Sequence, residues 1–116
     1  KWMVAQGFKV VLMMDSPDFG FDPALCVYGT KLNNARCDIT RKQHNGDQAI
    51  YRELFIAIAE HPNVELVDVS EAICDVNTCS MLGEDGLLYR DNDHLNLIGS
   101  QLVGELLIQK SKFLSQ

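Results

Sequence analysis

Apolar residues along the chain fall into two spacings, and each predicts an element. Phe8 to Met14 is apolar and β-branched, the pattern of a strand buried on both faces of a parallel sheet. Before it, Lys1 to Gln6 reads as the tail of a helix closed by Gly7 as a C′ residue. Asp15-Ser16-Pro17 and Gly20 break the strand, and an irregular stretch containing Pro23 runs on to about Asn45. Asp47 to Glu60 then takes helical spacing. Ile50, Leu54 and Ile58 line one face, Phe55 and Ala57 widen it, and Arg52, Glu53 and Glu60 fill polar positions. His61-Pro62-Asn63 stops this helix. Val64 to Val69 interleaves Val and Leu with Glu65 and Asp68, which predicts a second short strand, and Ser70 to Ile73 predicts a turn into Cys74.

The C-terminal third continues in the same way. Gly83 to Gly86 is turn chemistry, Leu87-Leu88-Tyr89 a short extended piece, and Asn96 the N-cap of a last helix. Ile98, Leu102, Val103, Leu106 and Leu107 predict its buried face. Gly99 and Gly104 each cost about 1 kcal/mol of helix propensity against Ala, so both imply close packing. Strand, helix, strand, helix predicts an α/β layered sheet with right-handed crossovers. Two strong strands are few for such a fold, and the sheet is expected to extend into sequence N-terminal to Lys1, leaving an edge through which the chain could self-associate.

Composition narrows the class. The 116 residues are 47% hydrophobic and 22% charged, enough for one domain with a real core. A formal charge of −6 with scattered Lys and Arg excludes non-specific nucleic-acid binding. The longest apolar run, Leu54 to Ala59, is far below the ~20 residues that span a bilayer. Cys26, Cys37, Cys74 and Cys79 are even in number and sit among turns; the local pairings 26–37 and 74–79 need least rearrangement, with free buried thiols as the alternative. Neither pair has the spacing of a structural zinc site. Disulfides would place the chain in an oxidising space such as a periplasm.

The candidate chemistry lies in Tyr89-Arg90-Asp91-Asn92-Asp93-His94-Leu95-Asn96. Across three positions, the Asp91 carboxylate can fold back onto one ring nitrogen of His94. That fixes the tautomer and frees the other nitrogen to take a proton from a nucleophile. Asp93, adjacent to His94, is expected to point elsewhere. Alone, the Asp-x-x-His pattern fits a solvated acidic turn equally well.

A wider string tips that balance: Cys74-x4-Cys79, then Asp85-Gly86-x-Leu88-Tyr89-Arg90-Asp91-x-x-His94-Leu95-x-x-x-Gly99. It resembles the C-terminal end of SGNH domains, above all the extracytoplasmic ones attached to integral-membrane acyltransferase-3 proteins that O-acetylate polysaccharides. The resemblance covers essentially the whole chain, specifically at residues 74 to 99 and as a pattern upstream. Asn96 stands where that family commonly has Ser. The resemblance implies a three-layer, flavodoxin-like parallel-sheet fold of which residues 1–116 form a single, partial, C-terminal portion. It implies His94 as general base and Asp91 as its orienting acid, with no metal and no other cofactor. The implied partners are a glycan acceptor and an acyl donor delivered by a membrane-embedded domain, and the implied location is periplasmic and membrane-anchored. A plain SGNH esterase and a non-catalytic glycan-binding or scaffold domain are the alternatives.

The family's nucleophile stands in a Gly-Asp-Ser block, and that block has no counterpart here. Asp15-Ser16 is a poor substitute: Met14 replaces the Gly, and Pro17 leads into a loop instead of a helix. Ser16 and His94 are also only 78 positions apart, too few for a whole SGNH fold. Asp15 resembles a receiver phospho-acceptor too, yet receivers place two strands and an acidic pair upstream, and only 14 residues precede it. The remaining candidates read as structural: His44 in a polar loop, His61 at a helix end, and Met3, Met13 and Met14 as core fillers.

Overall fold

The structure, a computed structural model, describes residues 2–28 and 37–114. Its elements are helix α1 (Trp2–Ala5), strand β1 (Val10–Met13), helix α2 (Pro23–Tyr28), strand β2 (Asp38–Thr40) and helix α3 (Arg41–Ile58). Strand β3 (Val64–Val67), a 3-10 turn (Ser70–Ala72) and strands β4 (Thr78–Ser80), β5 (Leu82–Gly83) and β6 (Gly86–Leu87) follow, then helix α4 (Leu97–Lys110). β1 and β3 pair in parallel, Val10 opposite Val64 through Met13 opposite Val67, with α3 as the crossover between them. β2 and β4 form a small antiparallel ladder, and β5 and β6 a tight hairpin. The chain is therefore a mixed α/β domain around one small parallel sheet. No helix among the described residues is long and apolar enough to cross a membrane.

The irregular stretch expected between Asp15 and Asn45 is more ordered than its composition implies, although residues 29–36 of it lie outside the described residues. α2 and β2 fall inside it, and α3 begins six residues earlier than its apolar spacing predicts. The Thr40 side chain explains the early start: it accepts the Gln43 N–H at 3.0 Å as an N-cap, which offsets the poor propensity of Asn45-Gly46. His44 is thus a helix residue at 1% exposure, not part of a polar loop.

The facing of α3 is the larger correction. Ile50, Leu54 and Ile58 are exposed, and the polar side chains His44 and Gln48 are buried instead. Polar contacts hold that inward face. Gln48 donates to the Asp15 carbonyl at 2.7 Å, Arg52 pairs with Asp68 at 2.8 Å, and Arg41 donates to the Ser70 hydroxyl at 2.8 Å. Met3 and Met13 are exposed as well; of the three expected core methionines only Met14 is buried.

The core is built around Phe19, Val69, Cys79, Met81, Leu88 and Tyr89, each 2% exposed or less. Both disulfides, Cys26–Cys37 and Cys74–Cys79, are part of it, with Cys37 packed at its edge. α4 contributes Val103, with Leu102, Leu106 and Leu107 half-buried and Ile98 at 39% exposure outside the core. Gly99 sits where any Cβ would collide with the Leu88 carbonyl, so α4 can lie against that segment only with glycine there. Gly104 faces open space and has no such reason.

Candidate active site

The loop between β6 and α4 is tied at its base and then folded on itself. Asn96 fixes one end: its N–H donates to the Leu88 carbonyl at 2.8 Å and its Nδ2 to the Leu87 carbonyl at 2.6 Å. Its Oδ1 accepts the Gly99 N–H at 2.9 Å, capping α4. Tyr89 and Leu95 bridge across the loop, and the Arg90 N–H donates to the His94 carbonyl at 2.9 Å. Within that closure, Asp91 Oδ1 accepts the backbone N–H groups of Asp93 and His94 at 3.1 and 2.7 Å. Backbone donation from Asp93 is the main reason the Asp91 carboxyl is held down at about 2; slight desolvation opposes it, and bonds from the His94 backbone and ring add to it.

The turn brings ring and acid together. His94 Nδ1 is 3.0 Å from both carboxylate oxygens of Asp91, so Nδ1 carries the proton and Nε2 is the free acceptor. His94 is 58% exposed at its side chain, and among the described residues its ring hydrogen bonds are made at Nδ1, none at Nε2. Asp93 does not point elsewhere: its Oδ1 is 2.9 Å from the same Nδ1. Carboxylate and imidazole atoms of Asp91, Asp93 and His94 all lie within 4.8 Å of one another, a spacing that could also hold a cation.

The segment after β1 buttresses the loop from behind. Tyr89 is fully buried, its hydroxyl donating to the Pro17 carbonyl at 2.7 Å and its ring edge-on to Phe19 at 4.8 Å. Burial, with Asp15, Asp18 and Asp93 nearby, pushes its phenol far above the ordinary range, so it stays a donor. The Phe19 N–H donates to the Asn92 carbonyl at 2.8 Å, and Asn92 Nδ2 to Asp18 at 3.1 Å. The sequence carried no sign of this buttress beyond Pro17 itself.

Ser16 is half-buried, and its N–H bonds the Asp15 carboxylate at 2.9 Å, a turn residue's arrangement. Among the described residues no hydroxyl is hydrogen-bonded to the His94 ring, and all four cysteines are in disulfides. Among the described residues the Asp–His geometry is present without a nucleophile bonded to it.

A family model described as SGNH domain (fused to AT3 domains) matches residues 1–109 of the chain. The chain belongs to this SGNH family. No curated protein and no solved structure matches it. In the SGNH domain the residues matched run from α1 through all but the last position of α4, so the match includes the Asp91–His94 turn and both disulfides. Membership in a family fused to AT3 domains implies an acyltransferase- or esterase-like role and, with the disulfides, fits an extracytoplasmic domain.

Proposed function

We propose that residues 1–116 are the His–Asp-bearing part of a three-layer, flavodoxin-like SGNH domain that transfers an acetyl or similar acyl group to a polysaccharide hydroxyl on the periplasmic side of a membrane. The observation that carries this reading is the Asp91 carboxylate on Nδ1 with Nε2 left open. The serine nucleophile comes from polypeptide outside these residues, and a membrane-embedded acyltransferase domain delivers the acyl donor.

The serine Oγ attacks the acyl carbonyl and passes its proton to His94 Nε2. The tetrahedral oxyanion collapses, the leaving group takes that proton, and an acyl-serine ester remains. A sugar hydroxyl then gives its proton to Nε2 and attacks the ester; collapse returns the proton to the serine and releases the acylated glycan. Asp91 keeps the ring in the Nδ1–H tautomer and stabilises the imidazolium formed in each half-reaction.

The unpartnered side of the fold supports a larger domain. Among the described residues β1 has only β3 beside it, the Ile50–Leu54–Ile58 stripe is bare, and the radius of gyration is 16.1 Å, against about 13 Å for a compact chain of this length. The same free edge would let copies of the isolated chain pair.

The exposure of His94 also favours a second reading, in which water replaces the sugar and the domain is an esterase. Competition between water and an oligosaccharide acceptor in the full-length protein separates the two. Acetyl-ester turnover by that protein is expected to be lost in His94→Ala, while the 116 residues alone turn over none. Turnover by the 116 residues, lost in His94→Ala, would overturn the requirement for an outside serine. Full activity of His94→Ala in the full-length protein would overturn the base.

A further inference from the structure

Two acids stand against one ring nitrogen of His94, and they meet it differently. Asp91 accepts along the N–H direction with both oxygens at 3.0 Å, and its Oδ1 also takes two backbone N–H groups. That carboxylate is occupied in shaping the turn as well as in holding the ring. Asp93 Oδ1 lies closer, at 2.9 Å, yet off the N–H axis, so its contact is one of charge and not a hydrogen bond. Its carboxylate accepts none of the hydrogen bonds that shape the loop.

We propose that Asp93 is a second positioning residue for His94, holding the proton on Nδ1 by its charge and taking over that nitrogen when the Asp91 charge is lost. The inference rests on the reading of His94 as the base. A carboxylate already at 2.9 Å needs only a side-chain rotation to align with the N–H. Asp91 lacks that freedom, because rotation would break its bonds to the Asp93 and His94 backbone. Both acids are partly exposed, so solvent keeps the charge effect modest.

The test uses the full-length protein with Asp91→Asn, Asp93→Asn and the double substitution. Asn keeps an oxygen for the backbone bonds, so the turn survives while the charge goes. Nitrogen-detected spectra of the His94 ring at mildly alkaline pH report whether the proton is on Nδ1 or Nε2. Acetyl-ester turnover against pH reports the consequence.

Asp93→Asn should leave thermal stability unchanged, move ring population toward the Nε2–H form, and lower kcat/KM about twofold. Asp91→Asn should retain measurable turnover, and the double variant should fall about tenfold further. Asp93→Asn matching the parent in ring population and kcat/KM, with the double variant equal to Asp91→Asn, would overturn the proposal. If the parent turns over no ester, the acyl-transfer reading fails, and the ring spectra still decide the role of Asp93.

Discussion

The Leu88–Gly99 segment and helix α3 differ in how their side chains were used. In the first, each feature of the sequence has a partner: Tyr89 is buried on Pro17 and Phe19, Asn96 caps α4, and Gly99 admits the Leu88 carbonyl. In α3 the apolar stripe is bare, and the polar stripe is packed inward by hydrogen bonds and an ion pair. An amphipathic pattern states that a helix has two faces. It does not state which one meets the rest of the chain, because a polar face can be buried when its partners are supplied.

The sharpest break of this contrast is a glycine pair within α4. Gly99→Ala places a Cβ on the Leu88 carbonyl, backbone against backbone, and should cost about 3 kcal/mol despite Ala's better helix propensity. Gly104→Ala meets nothing and should gain about 1 kcal/mol. Denaturant midpoints of the two variants would move in opposite directions; equal shifts would mean that α4 does not rest on Leu88.

An effect of intermediate size comes from pH and the buried face of α3. Burial lowers the tendency of His44 to protonate, and Arg41 and Arg52 add to this, against Asp68 on the facing loop and Asp47. A histidine lowered on folding takes up its proton first in the unfolded chain. Stability should therefore begin to fall as pH drops below about 6.5, by at most roughly 1.4 kcal/mol per pH unit. His44→Gln should flatten that slope in urea titrations between pH 7 and 5. A lower step follows from Asp68. Burial opposes its ionisation, but bonds from Arg52 and Ser70 prevail and hold it at about 2 against an ordinary 3.8, so its contribution is lost as pH falls between those values.

The smallest effect belongs to the outer stripe. Ile50, at 89% exposure, should accept Lys with a stability change within about 0.5 kcal/mol in the isolated chain. In the full-length protein the same substitution should cost substantially more if the rest of the domain covers α3. Equal effects in the two settings would leave the stripe uncovered.

Much of the local structure was legible because it is set by neighbours in sequence. Gly7 has φ 86°, as the C′ position requires, and β1, β3 and the Asn96 cap stand close to where the pattern puts them. The Asp91–His94 contact was legible for the same reason, since it closes over three residues. What escaped depends on contacts distant in sequence. His44 is buried on a face of α3 whose neighbours Arg41 and Arg52 are tied to Ser70 and Asp68 after β3, and Asp93 meets His94 in a loop whose Asn92 is tied back to Asp18 and Phe19. Spacing along a chain carries no record of such partners.

The bond from the Phe19 amide to the Asn92 carbonyl joins segments more than seventy positions apart, inside the loop that carries His94. That single amide is consequently an isotopic gauge of the loop. Its proton can trade with deuterated solvent only when the loop lifts from the segment behind it, so its protection measures how often the imidazole leaves its working position.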